Sequence, residues 1–169
     1  MRFLTVVRHA EATTAESDVE RPLSSRGQAQ CAGLRARSLD RAALGAYGPT
    51  TALVSAAART RETYALCFAG TPFVTALETS AAIYNGHREV RSEDVLRELA
   101  AIDPGSGSLL VVAHYPTVWE LVTSLSDGPV PQLLSGDFPL AGAFVLGWEG
   151  TSAPPLGGCA VVAVFLPEN

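Results

Sequence analysis

At 169 residues, of which 47% are hydrophobic, the chain suggests one domain over residues 1–169 with enough apolar material for a sizeable core. A formal net charge of -5 and a pI near 5.1 argue against nucleic acid or an anionic membrane as the main partner. No apolar segment reaches the ~20 residues that span a bilayer. The apolar run between Arg2 and Arg8 is too short for a secretory leader.

All 12 basic residues are arginine. GC-rich codon usage is the plain reading, but every fixed positive charge is then a planar fork suited to carboxylate or phosphate. The three cysteines, Cys31, Cys67 and Cys159, lie far apart and form no CxxC or metal-ligand spacing. They read as reduced thiols, and a cytoplasmic location is expected.

In chain order, Phe3–Val7 reads as a buried strand, ended by the charged pair Arg8 and His9. Residues 10–23 are polar and irregular. "SSRGQAQCAGLRARSL" reads as a helix capped by Ser24 or Ser25, with Ala29, Ala32, Ala36 and Leu39 at helical spacing. "GAYGP" breaks the chain. "TALVS", 51–55, is a second short strand, and "AAARTRETYALCF", 56–68, a second helix. "PFVTAL", 72–77, is a third strand, and "SEDVLREL" a helix with Val95, Leu96 and Leu99 on one face. After a "PGSG" turn, "SLLVVA", 108–113, is the clearest buried strand. "TVWELVTSL" aligns Val118, Leu121, Val122 and Leu125 on a helix, where Trp119 reads as core. Pro129, Pro131 and Pro139 mark a loop. "AFVLGW" and "CAVVAVFL" close the chain as a hairpin joined by residues 149–158. His87, in "YNGHRE", reads as an exposed loop histidine.

Strands alternating with helices imply βα units and a mostly parallel sheet covered on both faces, a three-layer αβα sandwich. Such sheets place their working residues beyond the carboxyl ends of the strands. Arg8 and His9 follow the first strand, Arg59 lies in the helical turn after the second, and His114 directly follows "LLVVA". Two arginines with two histidines, at the start of a helix with free N–H groups, favour phosphate over a metal, which adjacent guanidinium groups would repel. No cofactor is called for.

"VRHAEA" resembles the RHG motif of the histidine phosphatase superfamily, the phosphoglycerate mutase-like fold. "ERPLSSRGQAQ" is similar to the "RPLT..G..Q" element of its short bacterial branch, which includes protein phosphohistidine phosphatases. "SAAARTRET" resembles "SP..RA.QT", and "AHYPTV" resembles "GH.P.." or "SH.P.". These motifs follow family order through most of the chain. The resemblance implies His9 as the nucleophile that becomes phosphohistidine. It implies Arg8, Arg59 and His114 as the rest of the phosphate pocket, and Arg21 as a further phosphate contact. Arg21 also admits a second reading, a surface pair with Asp18 or Glu20. Glu78, after the third strand, stands where the wider family places its general acid; a solvated glutamate at a strand end is the alternative. Asp18 and Glu20, beside Arg21, are weaker candidates for that acid and read rather as loop charges. The chain departs from the family pattern at Ala10 in place of glycine, at Ala12 where Ser or Thr is frequent, and at Ala56 in place of proline.

The implied activity is that of a metal-independent phosphatase acting through His9 on a phosphorylated protein, phosphohistidine first, or on a small phosphorylated substrate. The short chain leaves little room for a roof over the pocket. A small-molecule phosphomonoesterase acting on a sugar or nucleotide phosphate is the alternative within that class. A non-catalytic phosphate-sensing module is the alternative outside it, though the histidines and arginines such a module usually loses are all present. Nothing in the sequence speaks to oligomeric state.

Overall fold

The computed structural model describes residues 1–86, 88–103, 105, 107–130, 137–150 and 153–167. His87, Pro131 and parts of the "PGSG" turn and the 149–158 connection lie outside the described residues. Six strands form one sheet: β1 (Arg2–Arg8), β2 (Thr50–Ser55), β3 (Val74–Ser80), β4 (Ser108–Ala113), β5 (Ala143–Trp148) and β6 (Ala160–Phe165), in the order β3-β2-β4-β1-β5-β6. The β3-β2-β4-β1 portion is parallel, and β5 and β6 add antiparallel at one side. Between the strands run α1 (Ser25–Leu39), α2 (Ala58–Cys67), α3 (Ser92–Ile102) and α4 (Thr117–Leu125). The expected three-layer arrangement is the one observed, hairpin included.

Alternation along the strands divides the interior in two. Leu4 and Val6 of β1 and Leu109, Val111 and Ala113 of β4 pack against Val95 and Leu99 of α3 and Val118, Leu121 and Val122 of α4. Val7, Leu110, Val112 and Val54 turn to the other face, against Cys31 and Leu34 of α1, Cys67 of α2 and Phe68 just after it. All six residues of β4 are buried, and from Leu109 to Ala113 this central strand is a continuous apolar run. Trp119 packs against the first core, with its ring edge on Phe144. The three thiols are free and buried.

Two elements differ from the sequence expectation. Ser24 caps α1 as expected, accepting from the Gly27 N–H at 3.0 Å. Yet the helix buries Gly27, Cys31, Leu34 and Ser38, and leaves Ala29, Ala32, Ala36 and Leu39 exposed. Apart from Leu34 the buried stripe consists of small residues, because α1 lies close on α2 and on the chain after β1: the Ser38 hydroxyl donates to the Cys67 carbonyl at 3.0 Å, and Gly27 abuts the Glu11 backbone. The third strand starts later and ends later than expected, at Ser80. As an edge strand exposed from Thr75 to Thr79, it lacks the apolar alternation that marks a boundary.

The register positions the site. Arg8 pairs with Ala113 across β1 and β4, so His9 and His114 leave neighbouring strand ends together. Val54 pairs with Val112 across β2 and β4, which brings Ser55 beside the same point.

Candidate active site

A pocket of about 430 Å³ opens at these carboxyl ends, lined by Arg8, His9, Glu11, Ala12, Asp18, Arg21, Arg59, Asn85, Gly86, His114, Tyr115 and Leu140. His9, Arg8, Arg59, His114 and Arg21 therefore converge from different parts of the chain. Glu78 does not line the pocket; it lies within β3, exposed on the sheet edge, because the strand runs on past the point where it was expected to end.

His9 is fixed at both backbone ends. Its N–H donates to the Ala113 carbonyl at 3.1 Å, and its carbonyl accepts from the Ala141 N–H at 3.2 Å. The ring Nδ1 lies 2.7 Å from the Ala10 carbonyl. A carbonyl only accepts, so Nδ1 carries the proton and Nε2 keeps a lone pair. Burial pushes the imidazole down to about 4; the Ala10 bond opposes the shift, and Arg59, Arg8 and Arg21 add to it. The ring is neutral near pH 7.

His114 is 3% exposed. Its Nε2 lies 2.7 Å from the Ser55 hydroxyl, and its ring stands 5.4 Å from that of His9. Burial, then His9 and Arg59, push it down to about 3, so it too is neutral.

Arg59 and Arg8 are tethered by their outer nitrogens. Arg59, 5% exposed, donates from Nη1 to the Asp18 carbonyl at 2.7 Å and from Nη2 to Asp18 Oδ2 at 3.2 Å. Arg8 donates from Nη1 to the Phe138 carbonyl at 2.5 Å and stacks over Tyr115 at 5.1 Å. Burial lowers its pKa from the ordinary value, with Asp137 opposing. Arg21 donates from Nε to the Thr13 carbonyl at 2.8 Å and from Nη1 to Asp18 Oδ1 at 3.2 Å. It thus pairs with Asp18, as one of its two sequence readings had it, and lines the pocket as well. Three buried nitrogens at this site have no partner among the described residues: Arg8 Nε, Arg59 Nε and His114 Nδ1.

Asp18 is the residue that sequence reasoning undervalued. It accepts from Tyr84, Arg21 and Arg59, and these hold its carboxyl down at about 2, the Tyr84 hydroxyl most of all. Glu11, also in the pocket wall, is bonded to the Ser24 hydroxyl at 2.7 Å and paired with Arg26 at 3.7 Å.

The "RPLSSRGQAQ" element, Arg21 to Gln30, frames the loop after His9. Gln30 Oε1 accepts the Glu11 N–H at 3.0 Å, and the Glu11 carbonyl accepts the Ser24 N–H at 2.9 Å. Glu62 of α2 accepts the Leu23 N–H at 2.8 Å. The departures from the family pattern are accommodated locally. Ala10 is fully buried, with its N–H on Thr63 Oγ1 at 3.0 Å. The Ala56 N–H donates to the Ser80 carbonyl at 3.1 Å, a bond that proline could not make. Ala12 contributes a methyl group to the pocket wall and no oxygen. Among the described residues, no group of three or more His, Cys, Asp or Glu side chains is placed to hold a metal ion. No described helix is long and apolar enough to cross a membrane.

Comparison with solved structures gives the fold its relatives. The chain is 25% identical to a candidate phosphohistidine phosphatase SixA from Nakamurella multipartitia, with 98% of this chain and 96% of that one covered and a TM-score of 0.77. It is 24% identical to a candidate phosphohistidine phosphatase SixA from Agrobacterium tumefaciens, covering 98% and 99%, with a TM-score of 0.76. A protein histidine phosphatase SixA complexed with tungstate is 21% identical, with coverage of 96% and 95% and a TM-score of 0.72. No family model matches the chain, and no curated protein does. The phosphoglycerate mutase-like fold expected from the motifs is the fold these structures share with the chain.

Proposed function

We propose that this chain, built on the histidine phosphatase fold, is a phosphatase working through a phosphohistidine intermediate on His9, with a histidine-phosphorylated protein as substrate. The observation that carries the reading is the set of buried nitrogens without a partner among the described residues, Arg8 Nε, Arg59 Nε and His114 Nδ1, around a neutral histidine whose proton sits on Nδ1 and whose Nε2 keeps its lone pair. Buried donors without acceptors are costly, and a phosphoryl group supplies several acceptor oxygens at once.

In the first step the His9 Nε2 lone pair forms a bond to phosphorus while the bond to the leaving group breaks and its electron pair departs with that group. Arg8, Arg21 and Arg59 neutralise charge on the phosphoryl oxygens, and His114 donates to one of them. In the second step a water oxygen bonds to phosphorus, the P–Nε2 pair returns to the ring, and both water hydrogens leave on orthophosphate. The guanidinium groups supply the positive charge, so activity is expected to persist in EDTA.

The carboxyl groups in the pocket support a substrate whose leaving group needs little help. Asp18 is held ionised and so is no ready proton donor, and the Glu11 carboxylate is engaged by the Ser24 hydroxyl and Arg26. A phosphohistidine protonated on its other ring nitrogen leaves as neutral imidazole and needs no acid at the broken bond. An alkyl phosphate does need one.

Hydrolysis over a panel of phosphohistidine peptides, sugar phosphates and nucleotides tests the reading, together with trapping of an acid-labile, base-stable phosphoryl group. The peptides are expected to turn over fastest, and His9→Ala to lose both turnover and the trapped group. Preference for an unactivated sugar or nucleotide ester would replace the protein substrate with a small molecule. A His9→Ala variant that still turns over would remove the nucleophile.

A further inference from the structure

We infer that Ser55 is a positioning residue that fixes the tautomer of His114, keeping its proton on Nδ1 so that this ring presents a donor to the phosphoryl group while His9 presents a lone pair. The inference rests on the reading of the pocket as a phosphoryl site. Ser55 ends β2 and is 0% exposed. Its hydroxyl oxygen lies 2.7 Å from His114 Nε2, and among the described residues this is its only hydrogen-bond partner.

That single contact has two arrangements. If Nε2 carried the proton, it would donate to the Ser55 oxygen. The hydroxyl hydrogen would then be buried with no acceptor, and His114 Nδ1 would offer a lone pair to a site that takes anions. If the hydroxyl donates to Nε2 instead, the hydroxyl hydrogen is satisfied and the imidazole proton must sit on Nδ1. Nδ1 is buried without a partner among the described residues, as a donor reserved for a bound anion would be. The second arrangement satisfies both residues once a phosphoryl oxygen arrives, and the first satisfies neither.

The two histidines are thereby set in opposite senses by their neighbours. The Ala10 carbonyl, an acceptor, draws the His9 proton to Nδ1 and leaves Nε2 free to attack. The Ser55 hydroxyl, acting as donor, occupies His114 Nε2 and leaves the proton-bearing Nδ1. Both rings are neutral, so neither sense could arise from a doubly protonated ring. The site itself gives Ser55 its place: Thr60 Oγ1 donates to the Ser55 carbonyl at 2.8 Å, anchoring the turn that also carries Arg59. The "SAAARTRET" element thus contributes its first residue as well as its arginine.

Nitrogen-15 spectra of histidine-labelled protein report the tautomer directly, and calorimetric titration with tungstate reports anion affinity without any substrate. In the wild type, His114 is expected to show a protonated Nδ1 and an unprotonated Nε2. Ser55→Ala should mix the tautomers and weaken tungstate about tenfold, with a matching fall in kcat/KM on a phosphohistidine peptide. Ser55→Thr, which keeps the hydroxyl, should restore both. A wild-type His114 protonated on Nε2 overturns the inference. So does a Ser55→Ala protein with an unchanged tautomer, whatever its affinity, or a Ser55→Thr protein that behaves as Ser55→Ala. A wild type that binds tungstate with the expected tautomer yet hydrolyses nothing leaves the Ser55 assignment standing and removes the phosphatase reading.

Discussion

The Tyr84 hydroxyl donates to Asp18 Oδ2 at 2.6 Å, and the same oxygen accepts from Arg59 Nη2 at 3.2 Å. With the Asp18 carbonyl on Arg59 Nη1, Asp18 holds the outer end of the guanidinium and leaves the buried Nε unpartnered. Asp18 thereby orients a phosphate-binding fork without being a phosphate ligand itself.

Asp18→Asn is therefore expected to raise KM several-fold, because Arg59 and Arg21 lose the anion that aligns them. Tyr84→Phe should give a smaller change in the same direction. The pH dependence follows from the sign of the shift. The Asp18 carboxyl sits at about 2, below its ordinary 3.8, so its contribution to stability is present above pH ~4 and lost as pH falls through 2. The side chain is half exposed, so the contribution is at most about 1 kcal/mol. Urea midpoints at pH 5 and pH 2.5 should converge for the wild type and Asp18→Asn at the lower pH; a constant difference would contradict the coupling.

Arg59 and Glu78 separate a pocket residue from a surface one. Arg59 is buried beside His9, and Arg59→Ala should slow hydrolysis of a nitrophenyl ester and of a phosphohistidine peptide by similar factors, roughly a hundredfold. Glu78 is exposed on the edge strand, so Glu78→Gln should leave both rates, and an alkyl ester's rate, unchanged. Selective slowing of the alkyl ester by Glu78→Gln would return it to the role of general acid.

The convergence of Arg8, His9, Arg59 and His114 was legible because a parallel sheet sends every strand end to one edge, and three apolar runs each stop at or near one of these residues. Asp18, Tyr84 and Ser55 were not legible in the same way. Asp18 meets Tyr84 across a wide sequence separation; Asp18 opens a single 3-10 turn, Asp18–Glu20, too short to show periodicity, and Tyr84 lies in an irregular segment. The long connection that carries Asp18 shows only loop composition, in which an acidic residue reads as solvated. Ser55 was visible as a strand end, but its hydroxyl has meaning only once the β2–β4 register places it against His114. The buried face of α1 was misjudged for a related reason: hydrophobic spacing favours the alanines, whereas close helix packing selects Gly27, Cys31 and Ser38.

Gly27 and Gly33 sit in the same helix and should respond oppositely to alanine. A Cβ on Gly27 would lie 2.1 Å from the Glu11 carbonyl oxygen, a backbone atom in the segment that follows His9. Gly27→Ala must shift that segment or α1, at a cost of about 2 kcal/mol or more, and should depress turnover as well. A Cβ on Gly33 meets nothing within 4 Å. Gly33→Ala should stabilise the protein by about 0.5–1 kcal/mol through helix propensity and leave turnover alone. Thermal unfolding and peptide hydrolysis on both variants decide the matter, and a stabilising or neutral Gly27→Ala would show that the contact relaxes freely.

The depressed histidines set the acid behaviour of the protein. Burial, with Arg59, Arg8 and Arg21 adding to it, brings His9 from 6.5 to about 4, and His114 falls to about 3. Between these values and 6.5 the unfolded chain binds protons that the folded one does not. Stability is therefore complete above pH 6.5 and declines as pH falls toward 4, by at most about 3 kcal/mol from His9. His9→Ala should lose less stability than the wild type between pH 7.5 and pH 5, as read from urea midpoints. Equal losses would mean that His9 does not titrate low. The same shift acts on the rate: the acidic limb of kcat/KM should fall below pH 6.5, toward 4, because Nε2 keeps its lone pair until His9 itself protonates. Arg59→Ala removes one of the charges that hold His9 down, so its acidic limb should move upward, toward the ordinary histidine value.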